Sequence, residues 1–249
     1  MTAGQSAPSI WMRPERSAVG RPAQRSRAEI TCAAVGIADR EGLDTVSMRR
    51  VAAELGTGAA SLYRYVETRD ELLDLMIDAV GGEHQLPGPS GDWLADLVAI
   101  GEQSRTILRR HPWLPGLVIA RPVIGPNGIA LLEHVLAVLE RHPADVATKL
   151  EAFAMLNGVT AAFVQYELGG GAALQERNVA YLQHAVSSGE HPRLAELLSQ
   201  GPPAPAEGGH PAGDGVCADG GVPADPVGRY AHLITRVLSG LLGPAPGAA

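Results

Sequence analysis

A chain of 249 residues that is 45% hydrophobic can fill one large core or two small ones, and with only 4% aromatics that core must be Leu, Val, Ala and Ile. No run approaches the roughly 20 apolar residues of a membrane span, the start lacks the apolar stretch of a secretory signal, and Cys32 and Cys217 offer neither a disulfide framework nor metal-ligand spacing, so a cytoplasmic, reduced protein with no metal and no cofactor is expected. The net charge of −7 argues against a nucleic-acid partner only as a sum, because residues 1–66 carry +3 and residues 67–249 carry −10.

Residues 1–22 place Arg13, Arg16 and Arg21 among prolines and glycines with no apolar period. They read as a flexible arm, either a solvated tail or a basic arm following a nucleic-acid backbone. Residues 25–42 are predicted as the first helix, with Ile30, Ala33, Ala34, Ile37 and Ala38 as its apolar stripe and Gly42 as its end.

Residues 47–66, SMRRVAAELGTGAASLYRYV, read as two short helices around a tight turn. Met48, Val51, Ala52 and Leu55 have the spacing of one helix face. Ser47 caps the start, and Gly56 ends the helix because glycine enters the left-handed region at little cost. Thr57 is expected to cap the second helix, with Ala59, Leu62 and Val66 inward and Ser61, Tyr63, Arg64 and Tyr65 mostly outward. A short helix, a glycine turn and a second helix bearing hydroxyls and a guanidinium describe a helix-turn-helix DNA reader. Residues 68–80 form the next predicted helix, opened by a Thr68–Glu71 capping box and striped by Leu72, Leu73, Met76, Ile77 and Val80.

The string LGTGAASLYRYVETRDELLDLM resembles the signature of the tetracycline-repressor (TetR) family of bacterial transcription regulators. The preceding helix, the Leu-Gly turn, the Leu62-Tyr63 pair, Arg69 and the Leu72-Leu73 pair fall in register from about Ala28 to Met76. Beyond about Trp93 the helical layout and short strings, ILRRHPW and Arg121-Pro122, agree. The resemblance implies an all-α protein: a three-helix DNA-binding domain with its connecting helix over 23–80 and a helical ligand-binding and dimerisation domain over 90–243. It implies that Arg49 enters the major groove, where arginine matches guanine, and that Ser61 and Arg64 meet bases or phosphates. Arg50 is a phosphate contact or a solvated arginine. Tyr63 matches a family tyrosine that bonds a phosphate, and Tyr65 falls where relatives touch the backbone; ordinary packing is the alternative for both. Ser47 and Thr68, each at the start of a helix, are further candidate DNA contacts. The helix start at Thr68 would abut a phosphate, and Arg69 stands where relatives place a phosphate-binding lysine.

Residues 81–91 are a Gly/Pro linker and residues 92–110 a long helix. Four prolines and three glycines then break HPWLPGLVIARPVIGPNG into turns and helical scraps. Its apolar crowding suits either a ligand-cavity wall or a buried connector, with Trp113, Leu117 and Arg121 as candidate pocket residues. The tetracycline repressors engage drug and magnesium through a histidine and a threonine before this Arg-Pro pair. Val118, Ile119 and Ala120 stand here instead and cannot coordinate magnesium. Helices are predicted over 128–141, 143–168 (started by Pro143), 173–187 and 193–199. His134, Phe153, Asn157 and Tyr166 complete the candidate pocket, His134 being equally a surface or core histidine. Residues 201–226 are low complexity and expected as a disordered loop. A final helix over 229–242 is expected, by the resemblance, to join 143–168 in a four-helix bundle across a two-fold axis, or else to pack within its own subunit.

There is no G-x-S-x-G, no H-E-x-x-H, no phosphate loop and no C-x-x-C, and the eight histidines are scattered. No catalytic or metal residues are therefore assigned. The expected function is a ligand-responsive, nucleoid-associated transcription regulator, a repressor released from a palindromic operator by a small apolar or amphipathic effector. It would bind double-stranded DNA, the effector and a second copy of itself, and no membrane. The alternatives are an all-helical small-molecule enzyme and a non-specific architectural DNA-binding protein.

Overall fold

The computed structural model describes residues 9–14, 25–121, 125–169, 171–199 and 226–243. Eleven α-helices and no strand occur among the described residues. By contacts the chain divides into two compact units, Met1–Gln165 with Ile234–Ala249, and Tyr166–Leu233. No described helix is long and apolar enough to cross a membrane.

Helix α1 (Arg27–Glu41) starts at Ser26, whose hydroxyl accepts from the Glu29 N–H while the Glu29 carboxylate accepts from the Ser26 N–H. This reciprocal cap explains why the helix begins two residues later than its sequence pattern suggests. It ends at Gly42, whose φ of 87° lies outside the range of ordinary L residues. Helix α2 (Met48–Glu54) is capped by Ser47, whose hydroxyl accepts from the Arg50 N–H. It closes on Gly56 at φ 63°. There the Thr57 and Gly56 N–H groups donate to the Ala52 and Ala53 carbonyls, at 2.9 and 3.1 Å. That pair of bonds is a Schellman cap, and it needs the left-handed glycine at this position.

Helix α3 (Ala59–Leu62) is a single turn capped by Gly58, not by Thr57 as expected. The Thr57 hydroxyl pairs instead with the Ser61 hydroxyl, 2.9 Å away. One turn has no stability of its own. Leu62 and Val66, both fully buried, hold this segment against α1 and α4 (Arg69–Gly81) in one core with Ile30, Ile37, Val51, Leu72 and Met76. The start of α4 realises half of its expected capping box. Thr68 accepts from the Glu71 N–H, but Glu71 reaches one residue further back, to the Glu67 N–H at 2.7 Å.

Residues 9–14 correct the expectation of a flexible arm. They form a one-turn 3-10 helix, Ile10–Met12, with Ile10 only 3% exposed in the same core. One apolar residue and one arginine suffice, because both find partners that local periodicity cannot display. Arg16 and Arg21 lie outside the described residues.

Helix α5 (Trp93–Arg110) is capped by Asp92. Helix α6 (Leu114–Ala120) carries Pro115 in its first turn, where proline costs no hydrogen bond. Helix α7 (Pro126–Val138) also opens on a proline. Helix α8 (Val146–Leu168) is started by Asp145, whose carboxylate accepts from the Thr148 N–H, and not by Pro143. Within the first unit α4 packs on α1, α6 and α7. In the second unit α9 (Gly171–Ser187) packs on α10 (Pro192–Ser199). Helix α11 (Pro226–Leu242) buries Tyr230, Ile234 and Leu238 along one stripe. The stretch expected as a disordered loop over 201–226 lies outside the described residues, except Pro226, which opens α11.

Candidate nucleic-acid interface

Three short elements present the candidate face: the start of α2, α3 with the turn after it, and the start of α4. Arg49 is exposed in the first turn of α2, with no ion-pair partner among the described residues. Tyr63 caps the end of α3 at 50% exposure, and Arg64 beside it is exposed. Arg69 is exposed at the first position of α4, with only long contacts of 3.4 Å to the Val46 and Leu43 carbonyls. Those carbonyls immediately precede α2, so the starts of α2 and α4 lie side by side. Thr68 is exposed there, and its hydroxyl is committed to its own helix. The structure therefore leaves Arg49, Tyr63, Arg64, Thr68 and Arg69 exposed on these three elements.

Four other residues assigned to this face have different work. Arg50 bonds Glu41 at 2.6 and 3.2 Å and Glu54 at 2.9 Å at the surface. The hydrogen bond from Arg50 holds the Glu41 carboxyl below its usual range. This arginine ties the end of α1 to α2 and is not a free phosphate ligand. Tyr65 is a correction: at 6% exposure it belongs to the core. The turn after α3 carries the Tyr65 side chain inward beside Val66, with the Tyr65 and Val66 N–H groups both donating to the Leu62 carbonyl. The hydroxyls of Ser47 and Ser61 are consumed locally, by the Arg50 N–H and the Gly58 carbonyl.

The candidate pocket residues are also redistributed. Trp113 Nε1 donates to Asp39 at 2.7 Å, and Trp113 and Leu117 pack on the core that holds α1 and α4. Arg121 donates to Asp74 at 2.8 Å and to Asp70 at 3.1 Å, both on α4. These three are ties between α6 and the reading elements rather than a pocket wall. Sequence spacing could not reveal this, since the partners lie more than 40 residues away. His134 is half-buried on α7, and Asn157 donates to the Phe153 carbonyl within α8. Tyr166 is 56% exposed, which removes it from a pocket interior.

Sequence reasoning missed the polar cluster beside these ties. His111, 4% exposed, lies between Asp39 at 2.7 Å and Glu83 at 3.0 Å. His84 Nδ1 donates to the Gly81 carbonyl and its Nε2 bonds the Ser104 hydroxyl, 2.8 Å each, and burial pushes its imidazole below the usual histidine range. Asp78, buried on α4, accepts from the backbone N–H groups of Asn127 and Gly128 at 3.0 Å and from the Asn127 amide. A cavity of about 540 Å³ adjoins it, lined by Trp11, residues of α1 and α4, Glu83 and Asn127, and by none of the seven candidate pocket residues. No group of His, Cys, Asp and Glu that could hold a metal occurs among the described residues.

The reader geometry has close counterparts. The profile "Bacterial regulatory proteins, tetR family" matches residues 30–76, and "Tetracyclin repressor-like, C-terminal domain" matches residues 86–209. The HTH-type transcriptional repressor DrrR1 of Streptomyces coeruleorubidus is 35% identical over 200 residues, covering 76% of this chain and 74% of that protein. The chain belongs to the TetR family. An HTH-type transcriptional regulator of Saccharopolyspora erythraea, 42% identical over 132 residues, spans 53% of this chain and 56% of its own. The TetR family protein ActR of Streptomyces coelicolor, in its apo crystal structure, superposes with a TM-score of 0.70 at 28% identity over 90% of this chain and 98% of its own. ActR has also been crystallised with actinorhodin; that complex superposes with a TM-score of 0.69 at 29% identity over 88% of this chain and 97% of its own. As a TetR-family regulator, this chain reads DNA through α2 and α3, which fall inside the first matched region.

Proposed function

We propose that the chain is a cytoplasmic repressor that binds a palindromic operator as a homodimer and is released by a small amphipathic effector. The observation that carries this reading is the exposed surface of Arg49, Tyr63, Arg64 and Arg69, set on a rigid core and joined to α6 by Arg121 through Asp70 and Asp74. Arg49 would contact a base edge, Tyr63 and Arg69 phosphates, and Arg64 either. The start of α4 would offer its free N–H groups to a phosphate.

Two such surfaces must stand about 34–36 Å apart to enter successive major grooves. The dimer seam is assigned to α8, where Met155, Val159, Ala162 and Tyr166 share one face and Met155 and Tyr166 are 47% and 56% exposed. A ligand that favours a different spacing weakens operator binding by its differential affinity for the two states. The tie from α6 to α4 is the route for that change. The repressor role is carried over from DrrR1 and ligand control from ActR. With Val118, Ile119 and Ala120 ahead of Arg121, magnesium-tetracycline is not the effector. The chain has no catalytic role and no cofactor.

The test is selection of bound duplexes from random DNA, repeated with candidate amphipathic ligands. Recovery of one inverted repeat, released by a ligand at saturable concentration, is the expected result. Equal retention of all sequences would leave an architectural DNA binder instead.

A further inference from the structure

The start of α4 has an electrostatic problem. Glu67, Asp70, Glu71 and Asp74 flank Arg69 in the sequence at the start of α4. Four carboxylates there oppose the approach of a polyanion. Asp70 and Asp74 are met by Arg121. Glu67 and Glu71 are met by a residue well before them in the chain: Arg13 donates from Nη1 to Glu67 at 2.7 Å and from Nη2 to Glu71 at 2.8 Å. The Arg13 and Glu71 side chains are each 19% exposed, so solvent screens this pair far less than an open surface pair.

The segment that delivers Arg13 is built to hold it. Ile10 is buried in the reader's core. One nitrogen of Arg27 donates to the Ile10 and Arg13 carbonyls at 3.1 and 2.8 Å, while its Nε donates to the Tyr65 carbonyl at 3.1 Å. The strap and the turn after α3 are thus clamped by the same guanidinium. On its other side Trp11 packs where Gly125 meets Asp78, since a Cβ on Gly125 would lie 2.7 Å from the indole.

We propose that Arg13 is a charge-balancing and positioning residue for operator binding. It does not touch DNA. It neutralises Glu67 and Glu71 and keeps Glu71 on the Glu67 N–H, so that the α4 start accepts a phosphate. The inference rests on the operator-binding reading above.

The experiment uses the full-length chain and the duplex that the wild-type protein selects from random DNA. Arg13→Gln should weaken binding roughly five- to twenty-fold, the scale of two partly screened like charges near a phosphate. Adding Glu67→Gln and Glu71→Gln to that variant should restore wild-type affinity, because the repulsion disappears with the carboxylates. Arg13→Gln that binds like wild type overturns the proposal, as does a loss that the added substitutions do not recover. Should Arg13→Gln fail to fold, as read by thermal melting, Glu67→Gln with Glu71→Gln beside an intact Arg13 decides: equal or tighter binding supports the proposal, and weaker binding overturns it. If Arg13 instead contacted a phosphate directly, Arg13→Gln would lower the salt slope by about one, and that result overturns the proposal. If the wild-type chain selects no sequence at all, the operator reading fails first, and that is distinguishable from every outcome above.

Discussion

At the residue scale, two neighbouring tyrosines show how little side-chain type settles by itself. Tyr63 is half exposed and Tyr65 is buried, two positions apart in the same turn. Tyr63→Phe should therefore weaken binding to operator and random DNA alike, by about 1 kcal/mol for a lost hydrogen bond, with unchanged melting temperature. Unchanged affinity in a filter-binding titration would remove Tyr63 from the phosphate contacts. Arg49→Ala should cost roughly 1–3 kcal/mol on operator and relax selectivity at one base pair. Equal losses on operator and random DNA would refute its base-reading role. His84 makes a pH prediction. Burial depresses its folded pKa, so the native state resists the proton that the unfolded chain takes up near pH 6.5. Its effect is absent above that value, and stability falls as pH drops below it, until the folded pKa is reached. Melting temperatures followed from about pH 7.5 to about 5.5 should fall more steeply for wild type than for His84→Gln; parallel curves would exclude His84 as the source.

At the element scale, the reading segment is the least self-sufficient part of the protein. Helix α3 is one turn long and has a single fully buried side chain, Leu62. Leu62→Ala should destabilise the protein by about 2–5 kcal/mol, measurable as a lower urea midpoint, and operator affinity should drop with it. A stability change below about 1 kcal/mol would show that the turn is held by something else. The helices themselves were legible. The stripe of α1, the Ser47 cap and the Gly56 stop are local rules, and the structure realises each within a residue or two. The misjudged details were those where two local rules compete. Thr57 could cap α3 or pair with Ser61, and it pairs with Ser61. Glu71 could return to Thr68 or to Glu67, and the pull of Arg13 accompanies its bond to Glu67.

At the scale of the whole molecule, the proposed function depends on the distance between two copies of the reader. The exposed apolar face of α8 is the surface assigned to that task, and Met155→Glu tests it. The substitution should yield monomers by light scattering and weaken operator binding by orders of magnitude, since one reader alone holds half the site. A stable dimer with full affinity would move the seam elsewhere. The proposed pocket residues show the limit of pattern at this scale. In sequence, Trp113, Leu117 and Arg121 suit either a ligand wall or a buried connector, being apolar or conspicuous in an irregular stretch. In the fold they bond or pack against α1 and α4.

By itself the sequence determined the all-helical class, the helix-turn-helix and the division of charge along the chain, because periodicity, caps and glycine stops act over a few residues. Only the tertiary structure decided which polar side chains are free to meet DNA. Arg49 and Arg50 are adjacent and chemically identical, yet one is open to solvent and the other is held by Glu41 and Glu54. Arg13, which the chain alone presents as part of a loose arm, is fastened to α4 across 58 residues. An ion pair forms wherever the fold brings opposite charges within reach, and no local spacing encodes that meeting.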